Sequence, residues 1–131
     1  MKLKKLFEKS NDIKIKLDEI SDISDVDILK DIAKNNPDYR FRIKAVECIF
    51  DDDFLKDIVY SDSNRKVKIS AANNIKSQSI LENIAENHTD CHVRIEAIKR
   101  ILDKSSLERI HEKESNKFVK KIALERINQF K

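Results

Sequence analysis

Glycine and tryptophan are both absent from this chain of 131 residues, and proline occurs once, at Pro37. Without glycine, the chain cannot form a phosphate-binding loop or a dinucleotide-binding fingerprint, because both need glycine where the backbone approaches the phosphates. Nucleotide-binding classes built on those motifs are therefore excluded. Turns that need a left-handed residue would have to use asparagine, and we expect Asn35, Asn36 and Asn87 to serve in this way at helix ends.

A unit of 26 residues repeats four times without an insertion, over 25–50, 51–76, 77–102 and 103–128. Self-similarity at this period predicts a stacked array in which each unit buries its apolar face on its neighbours. Residues 1–24 follow the same frame less faithfully and predict a degenerate N-terminal cap unit, so that 1–131 is a single domain of about five units. The most regular apolar columns contain Leu29, Leu55, Leu81 and Leu107, then Ile32, Ile58, Ile84 and Ile110, then Ile49, Ile75, Ile101 and Ile127.

The localisation expected from the composition is the cytoplasm. No apolar run approaches the roughly 18 to 20 residues of a membrane span, and charges interrupt the basic N-terminal segment before a signal-peptide core could form. Cys48 and Cys91 lie in units two apart, about 20 Å from each other by the spacing of packed helices, which is too far for a disulfide. We therefore expect free thiols in a reducing compartment, and no membrane partner.

Each unit is predicted to be a pair of helices. The first helix begins at a small polar or acidic residue, and apolar residues follow at helical spacing. We name each column of the repeat by its residue number in the unit 25–50. Column 38 is predicted to cap the second helix, and the chain to be an all-α solenoid with right-handed stacking. The first-helix caps are Asp25 or Asp27, Asp51 or Asp53, Ser77 or Ser79 and Asp103 or Ser105; column 38 contains Asp38, Asn64, Asp90 and Asn116.

Column 42 holds a cation in every unit, although a helical wheel places it inside the apolar arc. A residue that recruits a partner would not point inward. We therefore expect an internal ladder, in which each cation bonds the column-38 capping side chains and turn carbonyls and bridges to the adjacent unit. The column contains Lys16, Arg42, Lys68, Arg94 and Lys120.

These residues carry a resemblance to a known family. The sequence resembles the second helix of HEAT repeats in three features. These are a capping Asp or Asn, an apolar residue followed by a cation as in Phe41-Arg42 and Val93-Arg94, and the column-45 alanine. The short unit is most similar to the HEAT-like repeats named after phycobilisome lyases. The resemblance covers essentially the whole chain and implies a HEAT-like solenoid, often a scaffold without chemistry. The chain departs from the commoner pattern in lacking glycine and in having lysine at three of five column-42 positions.

Two histidine-containing segments could suggest metal chemistry. His88, Cys91 and His92 have side chains that suit zinc, but a structural site needs four ligands, and their columns hold no His or Cys in other units. His111 followed by Glu112 resembles the His-Glu pairs of iron-dependent HEAT-repeat hydroxylases, which use several such pairs where this chain has one. We therefore predict no metal, no cofactor and no enzymatic activity, and interpret these residues as polar turn and near-core positions.

The predicted function is that of a non-catalytic scaffold or adaptor, which binds an unidentified protein on a concave face formed by the second helices. The alternatives are an ordinary solvated helix face, weak nucleic-acid binding through this face and the basic C-terminal stretch, and self-association through apolar residues of the last unit. The predicted partner-binding residues are Arg40, Lys44, Lys66, Lys99 and Arg100; the basic stretch contains Lys117, Lys120, Lys121, Arg126 and Lys131, and the apolar residues are Phe118, Ile122 and Phe130.

Overall fold

The computed structural model describes residues 15–130, and their regular structure is entirely helical. Most of the predicted cap unit, residues 1–14, and also Lys131 lie outside the described residues. Within 15–130, a short 3-10 helix, Leu17–Asp22, precedes eight α-helices. These are α1 Val26–Asn35, α2 Tyr39–Glu47, α3 Asp52–Ser61, α4 Arg65–Asn74, α5 Gln78–Asn87, α6 Cys91–Ile98, α7 Lys104–Lys113 and α8 Lys117–Ile127.

Each α-helix begins after a residue whose side-chain oxygen accepts a hydrogen bond from a backbone N–H of the first turn, which has no carbonyl partner within the helix. The first helices follow Asp25, Asp51, Ser77 and Asp103, each of which accepts a hydrogen bond from a backbone N–H in the first turn. The column-38 residues do the same for the second helices, as when Asn116 accepts from two backbone N–H groups. Such caps stabilise a helix start by about 0.5 to 2 kcal/mol. The remaining column-38 caps are Asp38, Asn64 and Asp90.

The first helices end without a left-handed residue. No residue among 15–130 has a positive φ, so the expectation that asparagines supply this conformation is wrong. Asn36 is extended instead, with φ −64° and ψ 130°, and its N–H bonds the carbonyl of Ile32. Asn35 and Asn87 are the last helical residues of α1 and α5. An extended residue is sufficient because the chain turns directly into the second helix, and the turn has no need for glycine.

The helices pack as pairs along the chain: α1 with α2, α3 with α4, α5 with α6, and α7 with α8. The second helices also contact one another in succession, from α2 through α4 and α6 to α8. Their column-45 alanines are completely buried, because a small side chain lets neighbouring helices approach closely. The expected all-α fold is confirmed for the described residues, and the packed pairs are consistent with a helical repeat fold. These alanines are Ala45, Ala71, Ala97 and Ala123.

The core is a continuous layer between the two helices of each pair, filled by the apolar columns found in the sequence. Leu55, Leu81 and Leu107 are completely buried, and so are Ile75 and Ile101. Within residues 15–130, none of the helices has the length and the apolar character needed to cross a bilayer.

Candidate functional site

Three joints connect the four units, and column 42 lies at each of them. We call them joint 1 (between 25–50 and 51–76), joint 2 (between 51–76 and 77–102) and joint 3 (between 77–102 and 103–128). At joint 1, Arg42 donates to both carboxylate oxygens of Asp62, at 3.0 and 3.3 Å, and to the carbonyl of Asn36 at 2.8 Å. The two charged side chains are only 12% and 5% exposed. Arg42 thus connects its own turn to the turn of the next unit.

Joint 3 repeats this arrangement with different residues. Arg94 donates to the two carboxylate oxygens of Glu114, at 2.9 and 3.0 Å, and to the carbonyl of His88 at 2.9 Å. Burial raises the pKa of Glu114, but hydrogen bonds from Arg94 and from the backbone N–H of Asn116 outweigh it, so the pKa is below its ordinary value. The carboxylate is therefore held in its charged form against the guanidinium.

The acidic partners differ from the ones expected. The sequence suggested the column-38 caps, but Asp62 and Glu114 belong to column 36, two residues earlier and in the following unit. Each column-36 residue also accepts the N–H of its own column-38 residue, and so closes the turn before the second helix. A sequence signal existed: Arg42 and Arg94 each precede an acid by 20 residues.

Joint 2 has no such pair. Column 42 there is Lys68 and the column-36 residue of the next unit is His88. Lys68 forms no ion pair within residues 15–130. His88 is 4% exposed; its Nδ1 accepts the N–H of Asp90 at 3.0 Å, and its Nε2 lies 3.0 Å from the carbonyl of Val59. These contacts require the neutral tautomer with the proton on Nε2.

The two ends of the predicted ladder also depart from the expectation. Lys16 is exposed just before the 3-10 helix, and Lys120 is partly exposed on α8. Neither lysine forms an ion pair in the described part of the chain. At joints 1 and 3 the carboxylate partner of the column-42 arginine comes from the next unit. Among residues 15–130, the ladder of ion pairs is therefore limited to Arg42 and Arg94.

A second set of connections, which the sequence did not suggest, lies at the other end of the second helices. Arg100 donates to the carbonyls of Ala72 and Asn73, at 2.9 and 2.6 Å, and Arg126 donates to the carbonyl of Ile101 at 3.0 Å. These cations bind the C-terminal carbonyls of the preceding unit, where the helix dipole favours positive charge. Arg100 was expected on the partner surface, and its guanidinium is instead engaged inside the chain.

The zinc candidates do not converge in the described structure. Both ring nitrogens of His88 are already bound, and His92 lies on the exposed side of α6. Cys48 and Cys91 are free thiols, each partly buried. Among residues 15–130 no three His, Cys, Asp or Glu side chains are grouped as metal ligands.

The second-helix surface contains the other predicted partner-binding residues. Lys66 is exposed and its ammonium lies 5.8 Å from the centre of the Tyr39 ring. Lys44 is partly exposed, and neither lysine forms an ion pair within the described residues. Arg40 is bound to Asp38 through two side-chain hydrogen bonds, which hold the pKa of that carboxyl below its ordinary value. Lys99 is exposed, and its ammonium is 3.9 Å from the carboxylate of Glu96.

The last unit exposes apolar residues, though not all of those expected. Phe118 is 58% exposed, whereas Ile122 and Phe130 pack partly against the core. Leu124 was not anticipated and is 46% exposed, although its counterparts in the other units are completely buried. It borders an open cleft of about 500 Å³, which His111 also lines. Glu112 lines the same cleft.

No protein-family model, curated protein or solved structure matches the chain.

Proposed function

We propose that this chain is a HEAT-like solenoid of 26-residue units that acts as a non-catalytic scaffold and binds a partner protein on its second helices. The successive contacts of α2, α4, α6 and α8 support the architecture. The first helices approach one another less closely, and among them only α5 and α7 are in extensive contact. Closer approach on one side of a stack curves it toward that side, so the second helices would form the concave face.

The observation that carries the proposal is the presence of lysines on or next to adjacent second helices that form no short ion pair within residues 15–130. Lys66 and Lys44 belong to α4 and α2, and Lys99 lies just beyond α6 with only a long contact to Glu96. The column-42 arginines, by contrast, are bound within the joints. Charges left free on one face are available for complementarity with a partner. Arg100 is left out of this surface because it binds backbone carbonyls.

Affinity capture with matched variants tests this function. The surface variant carries Lys44→Glu, Lys66→Glu and Lys99→Glu. The control variant carries Lys34→Glu, Lys104→Glu and Lys113→Glu, which change the net charge equally but lie on the exposed sides of first helices. We expect wild type and control to enrich the same protein from the native cell, and the surface variant to lose it. Equal enrichment by all three versions would contradict the proposal.

The alternative function is weak, salt-sensitive binding of nucleic acid near the last unit. The observation that favours it is the exposed Phe118 with exposed lysines on either side, Lys117 and Lys121. Aromatic rings stack on bases, and lysines neutralise phosphates. Binding to single-stranded DNA that is strong at low salt and falls steeply by about 200 mM salt would support this alternative. Phe118→Ala should then weaken it.

A further inference from the structure

The three joints differ in how their charges are balanced. Joints 1 and 3 each place one largely buried arginine side chain against one largely buried carboxylate, Arg42 with Asp62 and Arg94 with Glu114. At joint 2 the carboxylate is replaced by His88, which already uses both ring nitrogens and offers nothing to a cation. Lys68 therefore lies at a position where its two counterparts each have an acidic partner.

A second cation belongs to joint 2, and it has a carboxylate partner of its own. Arg65 precedes Lys68 by three residues on α4, so both side chains lie on the same side of that helix. Arg65 reaches unit 77–102 and donates through Nε to Asp90 at 2.7 Å, while its side chain remains 56% exposed. Burial raises the pKa of Asp90, but hydrogen bonds from Arg65 and the His92 backbone outweigh this and lower it. Within the described residues, Asp90 is the only carboxylate that pairs with either of these two cations, and it pairs with Arg65.

We propose that joint 2 is a second binding site, in which an acidic side chain of a partner protein pairs with Lys68, as Asp62 pairs with Arg42 at joint 1 and Glu114 with Arg94 at joint 3. The ligand class follows from those two joints, where a carboxylate is what the column-42 cation binds. Lys68 and the terminal nitrogens of Arg65 would donate to it. The site lies near the turns that precede the second helices, and it uses Lys68 and Arg65 where the proposed partner surface uses Lys44 and Lys66.

A substitution within the chain can supply a carboxylate to this site. His88→Glu places a carboxylate at joint 2, as Glu114 does at joint 3, and this carboxylate can also accept the N–H of Asp90, as Glu114 accepts that of Asn116. It should therefore compete with an external acid. Lys68→Gln removes the cation instead. If His88→Glu proved unfolded, Lys68→Gln would still test the site, because Lys68 is partly exposed and has no ion pair to lose within residues 15–130.

The experiment measures fluorescence anisotropy of a labelled peptide of about eight glutamates, a length that carries enough charge for measurable binding. The control is Lys104→Gln, which removes one positive charge, as Lys68→Gln does, but from an exposed position on a first helix. We expect His88→Glu and Lys68→Gln each to weaken binding at least about tenfold, and Lys104→Gln to leave it unchanged. Circular dichroism confirms that each variant is folded.

Three results would overturn the proposal. The first is equal binding by all versions, or no binding by wild type. The second is loss of binding on Lys44→Gln and Lys66→Gln but not on Lys68→Gln, which would place the acidic peptide on the second-helix surface. The third is tighter binding of single-stranded DNA with the same dependence on Lys68, which would make a phosphate the preferred ligand.

Discussion

The Arg94 guanidinium and the Glu114 carboxylate face each other through two hydrogen bonds, of 2.9 and 3.0 Å, across joint 3. Both side chains are largely buried, at 14% and 6% exposed. Neither has another partner of opposite charge in the described residues. The two units are therefore connected by a pair whose members depend on each other.

Removing one member of this pair should be costly. We expect Glu114→Ala to lower the free energy of unfolding by about 3 kcal/mol, because it leaves a buried guanidinium uncompensated. Replacing both residues, as Arg94→Met with Glu114→Leu, should cost much less, since no charge is then left buried. Urea unfolding of the single and double variants measures both values. If the double variant lost as much stability as Arg94→Met and Glu114→Leu lose separately when added together, or more, the result would contradict this interdependence.

The same pair predicts a dependence of stability on pH. The pKa of Glu114 is lower in the folded chain than its ordinary value of 4.5, so its ionised form stabilises the fold above that value. This contribution should be lost as the pH falls from about 4.5 through the folded pKa. Thermal melts of wild type and Glu114→Gln across this range should converge at low pH. Parallel curves would show that Glu114 does not contribute to the acid sensitivity.

Arg100 should matter for stability and not for partner binding. Arg100→Met removes the hydrogen bonds to the carbonyls of Ala72 and Asn73, and we expect a loss of about 1 to 3 kcal/mol. Lys99→Met, one residue earlier and exposed, should change stability by less than about 0.5 kcal/mol. Chemical denaturation compares the two. Equal effects would mean that Arg100 behaves as a surface residue.

His88 should be necessary for the stability of joint 2. His88→Ala leaves the N–H of Asp90 and the carbonyl of Val59 without their partners and opens a cavity beside Tyr60, whose ring centroid lies 5.2 Å from that of His88. We expect a loss of about 2 to 4 kcal/mol. His92→Ala, on the exposed side of α6, is the matched control and should be nearly neutral. Calorimetric melting provides the comparison, and two variants of equal stability would rule out this role for His88.

The fold could be anticipated because its determinants are local. Caps such as Asp51 and Asn116 act on backbone groups two or three residues away, and the apolar columns follow helical spacing. The helical wheel also predicted that the column-42 cations are internal, which holds for Arg42 and Arg94. The conformation of Asn36 could not be predicted in this way, because several backbone geometries satisfy a short turn, and the chain adopts one that needs no positive φ.

The partners of the cations were harder to predict because they come from the next unit. Column 36 varies from Asn36 to Asp62, His88 and Glu114, so a search for repeated residues passes over it. Arg100 was misplaced for another reason. A helical wheel assigned it to the second-helix surface, but a wheel does not show that this long side chain reaches back to the carbonyls of Ala72 and Asn73 in the preceding unit.

Binding of a partner protein to the second-helix surface is tested most directly by amine-reactive labelling of the captured complex, read by mass spectrometry. The measurement compares lysines on the two sides of the array. We predict that Lys44, Lys66 and Lys99 lose reactivity when the partner is bound, while the first-helix lysines stay as reactive as in the free chain. These controls are Lys34, Lys104 and Lys113. Protection of the first-helix lysines with Lys44, Lys66 and Lys99 unchanged would contradict the proposed function.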